Sequence, residues 1–322
     1  MKSYFFGIYT CFYIINNSNF QVLAFTSLSQ KTHKSYHGFQ QQKQQRQTIV
    51  KASKSICTFD KDDFSLPTGQ WPYTDSDMGR LDSSDDSYFY DTPRFVTHID
   101  DRAIESLTSY YRTEFQNLYK QKEAKGVKDK KIDILDLCSS WISHYPKELQ
   151  DMYGLTCGIG MNEEELSANE QLYMHYTQNL NLNPSLKQFE DNSFDVITNV
   201  VSVDYLTKPK EIFEEMYRVL RPGGIALMSF SNRCFPSKAI AMWLQADDIE
   251  RLTIVASYFH YSANWSLIEA LDIKLPPVQT PERPGFGEIM SNPSKAFAWA
   301  STASAVAKMN SGDPMFVVKG IK

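Results

Sequence analysis

The sequence predicts an α/β fold, a Rossmann-like, doubly wound and mostly parallel sheet with an antiparallel terminal strand and helices on both faces. Two observations carry this prediction. Between about residues 131 and 230, short apolar runs alternate with segments of helical periodicity, as in successive βα units. The runs are rich in Val, Ile and Leu and end on polar residues, which is typical of parallel strands buried on both faces.

The first βα unit begins with Ile132–Cys138, a short apolar run that predicts a buried parallel strand. Tyr153–Gly160 predicts the second strand. Met161–Tyr176 predicts the helix that follows, because Asn162 and three glutamates form a typical capped N-terminus. The spacing of these elements suits a βαβ unit.

The next strand is predicted at Phe194–Val201, whose β-branched residues suit burial on both faces. Pro209 begins a helix at a position that tolerates a missing N–H, and apolar residues then repeat at helical spacing. Pro222–Gly224 ends that helix, and Ile225–Phe230 predicts the following strand. Right-handed crossovers wind these elements into one sheet.

The remaining chain divides into flanking segments. Residues 60–125 are expected to form an N-terminal cap or extension, and residues 126–322 the main domain. Within it, about residues 275–312 are rich in Pro, Gly, Ala and Ser and predict a loop insertion with one short helix. Met315–Val318 predicts an edge strand after the insertion.

Charge is unevenly distributed along the chain. The whole chain carries a formal −5, yet the first 59 residues hold seven Lys or Arg and no acid, so residues 60–322 carry −12. An acidic body repels phosphate backbones, which argues against nucleic-acid binding and favours a small substrate. The five cysteines show neither CxxC nor His-linked spacing, so no metal site is predicted.

Residues 1–59 have the composition of a targeting sequence. Residues 1–24 begin with a Lys and an apolar run too short to span a bilayer, which predicts a signal peptide and no stable membrane span after processing. Residues 25–59 are rich in Ser, Thr, Gln and basic residues, as in a transit peptide. Leu23–Thr26 resembles the cleavage signal of algae whose plastids lie inside secretory-route membranes. Plastid import is therefore expected, with secretion as the alternative.

Two stretches resemble the methyltransferase type 11 family. Phe189–Ile197 reads FEDNSFDVI and Phe213–Gly224 reads FEEMYRVLRPGG, which match the family through its Pro-Gly-Gly turn. The flanking stretches Pro93–Asp101 and Ser229–Phe235 resemble a plant and algal branch of it. The resemblance implies a class I methyltransferase core over about residues 131–230, with S-adenosylmethionine (SAM) as the cofactor.

The resemblance also implies which residues contact the cofactor after the first strand. In the family this strand ends in an acid followed by a glycine-rich turn, because a backbone must approach the cofactor closely. Asp136 supplies the acid. Ser139 and Ser140 replace the glycines and offer backbone and hydroxyl donors.

The second strand of the family normally ends in an acid that accepts both ribose hydroxyls. Gly160 stands in that place, and Asn162 or Glu163 is expected to replace the lost acceptor. Asn179 corresponds to the acid beside the adenine amine, and its amide oxygen can accept from that group. Asn199, after the next strand, is a further candidate for cofactor contact.

Contacts with the methyl acceptor are expected where the strands end, because open α/β sheets bind ligands at that edge. The candidates follow two strands or lie in a later aromatic run: Ser202, Ser231, Asn232, Tyr258 and Tyr261. His260 is the candidate catalytic base, with a packed structural histidine as the alternative. His98, which precedes the sheet, is a candidate lid residue.

Three functions are compatible with these features. The first is an enzyme that transfers a methyl group from SAM to a small molecule. The second is a catalytically degenerate methyltransferase that serves as a binding or assembly factor in the plastid, favoured by the missing glycines and ribose acid. The third, a nicotinamide-dependent oxidoreductase, is disfavoured because Gly158-x-Gly160 lacks a third glycine and follows the second strand. A protein partner is left open.

Overall fold

The computed structural model describes residues 53–322. The predicted signal peptide, residues 1–24, and most of the predicted transit-peptide-like segment lie outside these residues. The described part contains an eight-stranded sheet with the spatial order β1-β7-β8-β6-β5-β2-β3-β4. Its strands are β1 (Lys54–Phe59), β2 (Ile132–Leu137), β3 (Tyr153–Gly160), β4 (Met174–Thr177), β5 (Phe194–Val200), β6 (Leu220–Phe230), β7 (Leu267–Asp272) and β8 (Phe316–Ile321).

The strand directions confirm the predicted Rossmann-like, mostly parallel sheet. Strands β6, β5, β2, β3 and β4 pair in parallel, and β8 runs antiparallel to both β6 and β7. The prediction of an edge strand at Met315–Val318 is wrong in its position, because β8 is paired on both sides. The edge beyond β7 is formed by β1, which pairs antiparallel with it.

Helices connect and cover the strands. They are α1 (Asp86–Tyr90), α2 (Asp101–Ala124), α3 (Glu163–Ala168), α4 (Pro209–Val219), α5 (Ala241–Gln245), α6 (Asp248–Ser262), α7 (Phe286–Ser291) and α8 (Pro293–Asn310). Within residues 53–322, none of them combines the length and the hydrophobicity that crossing a membrane requires.

The helices lie on both faces of the sheet, as predicted. Leu107 and Phe115 of α2 share a core cluster with Ile134 of β2. The next residue of the strand, Leu135, belongs to the other core cluster, together with Phe213 of α4 and with α6. Successive strand residues point to opposite faces, so each cluster covers one face.

Two segments assigned to flanking regions belong to the main fold. Helix α2 was placed in an N-terminal cap of residues 60–125, but its apolar side packs directly on the sheet. Lys54–Phe59 was placed in the transit-peptide-like segment of residues 25–59, yet these residues form β1. The described fold therefore includes residues 54–59, because edge pairing and apolar packing incorporate a segment whose composition resembles a transit peptide.

The predicted helix at Met161–Tyr176 is much shorter than expected, because α3 ends at Ala168. The side-chain amide of Asn169 donates to the Ser140 carbonyl and to Ser143 Oγ. The backbone N–H of Tyr173 then donates to the Thr156 carbonyl at 2.8 Å. These contacts draw the chain out of the helix and align it with β3, where it forms β4.

The insertion at about residues 275–312 contains two helices, α7 and α8, rather than a loop with one short helix. Asn292 caps α8 by accepting from the Ser294 N–H, and Pro293 occupies the first turn. The Ala-rich sequence that follows has high helix propensity. Local propensity therefore outweighs the Pro and Gly residues before Phe286.

Gly320 of β8 lies under the aromatic residues of α6. A Cβ at this position would lie 2.5 Å from Cε1 of Phe259 and 2.9 Å from Cε3 of Trp265. We expect Gly320→Ala to lower the free energy of unfolding by about 1–3 kcal/mol through overpacking, measured by denaturant titration. Gly287→Ala in α7 is the control, because nothing lies within 4 Å of its added Cβ. Equal stabilities for the two variants would contradict this packing.

Candidate functional site

A cavity of about 530 Å³ lies at the carboxyl edge of the parallel strands. Its floor is formed by residues that follow β2, β3, β5 and β6, and its roof by residues 86–98, which we call the cap segment. Open α/β sheets bind ligands at this edge, and small-molecule sites typically have volumes of about 300–1,000 Å³. We call this volume the edge cavity.

Asp136 is the penultimate residue of β2 and lies buried in the floor of the edge cavity. Its Oδ2 accepts from Ser139 Oγ and Ser143 Oγ, both at 2.7 Å, and its Oδ1 accepts from Thr198 Oγ1 at 2.8 Å. Burial raises the pKa of Asp136 to about 6, although the three hydroxyl donors oppose the shift. The carboxyl group thus supports the turn after β2 from below.

The turn after β2 adopts a left-handed conformation without glycine. Cys138 has φ 56°, a value that costs a residue with a Cβ roughly 1–2 kcal/mol. The backbone N–H of Ser139 donates to the Ile159 carbonyl at 2.7 Å and holds the turn against β3. Ser139 and Ser140 both line the edge cavity. The structure therefore places both predicted turn serines at the edge cavity.

Gly160, at the end of β3, lines the edge cavity but has no room for a side chain. A Cβ there would overlap the carbonyl oxygen of Ser139 and approach Cδ2 of Leu166 to 3.0 Å. The turn after β2 therefore occupies the space in which an acid at this position would lie. The path of the turn after β2 therefore excludes an acid at position 160.

The two predicted replacements for that acid are placed differently. Asn162 lines the edge cavity, but its Nδ2 donates to the carbonyls of Tyr90 and Asp91 in the cap segment. Glu163 is exposed and lies away from the edge cavity, hydrogen bonded to His175 and Thr177. The prediction that Glu163 replaces the ribose acid is therefore corrected, because the first turn of α3 directs its side chain towards β4.

Glu165 is the acid of α3 that lines the edge cavity, and sequence reasoning missed it. Its Oε1 accepts from the backbone N–H of Arg94 and its Oε2 from Ser140 Oγ, both at 2.6 Å. A signal for its orientation was present in the sequence. Asn162, Glu165 and Asn169 follow helical spacing, and all three are buried, whereas Glu163 is exposed.

The two predicted asparagines also differ in position. Asn179 lines the edge cavity, where its Nδ2 donates to Asp85 at 3.3 Å and its Oδ1 accepts from the Asn181 N–H at 3.0 Å. Asn199 lies buried beneath the floor rather than on it. Its Nδ2 donates to the Leu137 carbonyl, and its Oδ1 has no hydrogen-bond partner in the described part of the chain.

Among the predicted acceptor contacts, Ser202 and Asn232 line the edge cavity. Ser231 is buried beside them and accepts from the Arg233 N–H. Tyr258 and Tyr261 of α6 do not contribute, because they are buried against the aromatic residues that follow β1.

His260 is likewise a packed residue of α6 and not part of the edge cavity. Its ring stacks on Phe64 with the centroids 4.2 Å apart, and its Nε2 lies 2.9 Å from the Leu66 carbonyl. The structural alternative for His260 is the one that the geometry supports. The prediction of a catalytic base at this position is corrected, because α6 packs against a face of the sheet.

Two other histidines, His98 and His144, line the edge cavity. His98 lies in the cap segment, and its ring contacts Phe235 edge-on at 5.6 Å. Burial lowers the pKa of His98, and burial together with the nearby His98 lowers the pKa of His144 to about 4. Both imidazoles are therefore neutral near pH 7, and the low pKa makes His144 a weak base.

Asp204 follows β5 and is buried close to the cavity floor. Its Oδ2 has no hydrogen-bond partner among the described residues. Burial raises the pKa of Asp204 to about 8, which Arg251 opposes only in part. The group is therefore mainly protonated at neutral pH.

We expect Asp204→Asn to remove a pH dependence of stability. Because the pKa of Asp204 rises from 3.8 unfolded to about 8 folded, the native state binds its proton more tightly across that window. Its contribution is full below pH 3.8 and is lost as the pH rises towards 8, by at most about 1.4 kcal/mol per pH unit. Denaturant titrations of both proteins should show the wild type losing stability relative to the variant, whereas a constant difference would contradict the burial.

Restoring an acid at the end of β3 should destabilise the protein. Gly160→Asp forces the turn after β2 away from β3, and we expect a loss of roughly 1–3 kcal/mol in the free energy of unfolding. Gly285→Asp is the control, because nothing lies within 4 Å of a Cβ there. Denaturant titration compares the two, and a stable Gly160→Asp protein would show that the turn can move aside.

Comparisons with known proteins agree with this geometry at the level of the domain. Residues 142–228 match the family described as a methyltransferase domain. No curated protein matches the sequence.

Three similar solved structures are SAM-dependent methyltransferases. One, from Archaeoglobus fulgidus, has 10% identity, covers 67% of this chain and 98% of its own, and gives a TM-score of 0.38. Another, from Mesorhizobium loti, has 11% identity, coverages of 65% and 100%, and a TM-score of 0.34. Phosphoethanolamine N-methyltransferase 2 of Haemonchus contortus, in complex with SAM, has 14% identity, coverages of 70% and 58%, and a TM-score of 0.36.

These TM-scores are all below 0.5, so the assignment rests on the family match and on the sheet itself. The matched residues begin after Asp136, Ser139 and Ser140, and they include the ends of β3 and β5 in the cavity floor. Residues 142–228 thus match a methyltransferase domain, in agreement with the predicted resemblance to class I SAM-dependent methyltransferases.

Proposed function

We propose that the protein binds SAM in the edge cavity and transfers its methyl group to a small-molecule acceptor. One observation carries the proposal. A cavity of about 530 Å³, large enough for a cofactor, opens at the carboxyl edge of the sheet, beside the buried Asp136 and the strand ends that match a methyltransferase domain. SAM supplies an electrophilic methyl group, so the protein has to orient two molecules and exclude water.

The residues at the edge cavity fit this cofactor if Glu165 takes the role of the missing acid at position 160. The turn formed by Cys138, Ser139 and Ser140 would hold the methionine part through its backbone. Asn179 would contact the adenine. With no acid at Gly160, Glu165 is the buried carboxylate that would accept from the ribose hydroxyls, since each of its oxygens retains a lone pair beyond its present hydrogen bond.

His98 provides a proton acceptor for the reaction, and His144 a weaker one. A hydroxyl or ammonium acceptor must lose a proton when it is methylated, and a neutral imidazole can take it. Both rings line the edge cavity, and burial keeps the pKa of each below its ordinary value. They take the role that the sequence assigned to His260.

A catalytically degenerate methyltransferase that serves as a binding or assembly factor is the second candidate. It is favoured by the absence of room for an acid at Gly160 and by the cap-segment carbonyls bound to Asn162. Such a protein would not bind SAM but would form a stable complex with a partner in cell extracts.

The acceptor is proposed to be a small molecule rather than a nucleic acid. Residues 60–322 carry a formal charge of −12, which opposes the approach of a phosphate backbone. The roof of the edge cavity also restricts its volume to that of small ligands.

We further propose that residues 1–59 direct the protein to a plastid. The support is the order of an apolar run followed by a basic, hydroxyl-rich and acid-free segment. A fluorescent protein fused to these residues should accumulate in plastids of an algal cell. Accumulation in the culture medium would favour secretion instead.

Binding of SAM by the full-length protein can be measured as a saturable rise in melting temperature. We expect Glu165→Gln to weaken that binding by at least about tenfold, because a charged hydrogen-bond acceptor is lost. Glu163→Gln is a matched control, since it removes a carboxylate from the same helix but outside the edge cavity. No shift with SAM in the wild type would favour the degenerate candidate, and equal effects of the two variants would exclude the role of Glu165.

A further inference from the structure

Arg94 presents an unused hydrogen-bond donor in the edge cavity. Its side chain lines the cavity from the cap segment, and Nη2 donates to the Phe89 carbonyl at 2.7 Å. Nη1 is buried and has no hydrogen-bond partner among the described residues. Leaving a charged donor unpaired in a buried position is unfavourable, which indicates a group that is absent from the chain itself.

The charge of Arg94 is also uncompensated. Of the nine arginines within residues 53–322, seven lie within 4.0 Å of a carboxylate, and Arg94 is not among them. The other cations that line the edge cavity are paired, Arg233 with Asp313 at 2.6 Å and Lys238 with Asp86 at 3.3 Å. Arg94 is thus the cation in the edge cavity that remains to be neutralised.

The acids beside the edge cavity are already engaged by other groups. Glu165 accepts from the backbone N–H of Arg94 and from Ser140, and forms no ion pair with the guanidinium among the described contacts. Asp136 accepts from three hydroxyls beneath the turn. A ligand that enters the cavity therefore meets a guanidinium without a carboxylate partner, and carboxylates that are already hydrogen bonded.

Aromatic rings surround the guanidinium of Arg94 and locate it within the edge cavity. Its Cζ lies 4.4 Å from the ring centroid of Phe89 and 5.9 Å from those of Tyr90 and Phe235. Phe235 follows β6 and also contacts His98. This part of the cavity also holds His98. Because the proposed function gives His98 the proton of the methyl acceptor, the acceptor would lie next to Arg94.

We infer that Arg94 binds an anionic oxygen group of the methyl acceptor, a carboxylate or a phosphate ester, while the neighbouring rings pack against the body of that molecule. The inference rests on the proposed function and assigns a substrate class to the same cavity. Guanidinium groups recognise both anions through charge-assisted hydrogen bonds, which accounts for the free Nη1.

Thermal unfolding of the full-length protein tests this inference with four probes. They are S-adenosylhomocysteine, the demethylated product of SAM, and three ring compounds: benzoate, phenyl phosphate and the neutral benzamide. With S-adenosylhomocysteine present, we expect benzoate or phenyl phosphate to raise the melting temperature saturably and benzamide to leave it unchanged. The carboxylate and phosphate arms distinguish the two kinds of anion.

Arg94→Met retains an unbranched side chain over Phe89 and removes the charge. We expect it to weaken binding of the anion by at least about tenfold and to leave binding of S-adenosylhomocysteine unchanged. Arg283→Met is the matched control, because Arg283 also lacks a carboxylate within 4.0 Å in the described part but stacks on Trp299 outside the edge cavity. If Arg94→Met fails to fold, Arg94→Lys should retain the preference of the wild type for benzoate or phenyl phosphate over benzamide.

Several results would overturn the inference. They are the absence of any anion-dependent shift in the wild type, equal binding of benzoate, phenyl phosphate and benzamide, or equal anion binding by the wild type and Arg94→Met. Loss of S-adenosylhomocysteine binding alone in Arg94→Met would assign the residue to the carboxylate of the cofactor. If the wild type binds anions through Arg94 but does not bind S-adenosylhomocysteine, the proposed function fails and the anion site stands.

Discussion

The buried carboxyl group of Asp136 is the interaction on which the edge cavity depends. Three hydroxyls donate to it, two from the turn after β2 and one, Thr198, from the neighbouring strand β5. Thr198 Oγ1 is also hydrogen bonded to the hydroxyl of Tyr145 at 2.7 Å. In a buried network each member satisfies the others, so loss of the carboxyl group would remove the acceptor of the Ser139 and Ser143 hydroxyls and the link from the turn to Thr198. The position of the turn, and with it the cavity floor, follows from this network.

The turn after β2 lies against β3, and this contact requires a glycine at position 160. The glycine-free turn and Gly160 therefore depend on each other. The left-handed Cys138 and the Ser139 N–H bond to Ile159 bring the Ser139 carbonyl over Gly160. Any side chain at position 160 would displace that carbonyl. The absence of the acid is therefore linked to the changed path of the turn. The geometry that excludes it also brings Ser140 to Glu165, one turn into α3.

The elements that depend on local patterns could be predicted from the sequence, whereas the contacts made across the sheet edge could not. The apolar runs of β2, β3 and β5 are correct to within one residue, because buried parallel strands have a strong local signal. Asp136 and Gly160 line the edge cavity because they lie at or next to the ends of such strands. Glu165 and Arg94 were missed, since their roles arise from the return of the cap segment over the sheet, some 70 residues away in sequence. His260 was predicted at the site and lies outside it. The helical periodicity of α6 does not show that Phe64, in the segment after β1, packs on this histidine.

The cap segment is held over the edge cavity by charge as well as by packing. Asp86 accepts from Arg80 at 2.8 Å and from Asn181 at 2.9 Å, and lies 3.3 Å from Lys238, which is fully buried. Breaking such a cluster leaves charges buried without partners, which is strongly unfavourable, so the closed arrangement is the stable one. The same segment supplies the carbonyls that bind Asn162 and the side chains of Arg94 and His98. Residues 86–98 thus take, by their contacts with Asn162 and Glu165, positions at the edge cavity where the family resemblance implies a ribose acid and a glycine-rich turn. Under the proposed function, the same thirteen residues would both cover the cavity and contact the ligand within it.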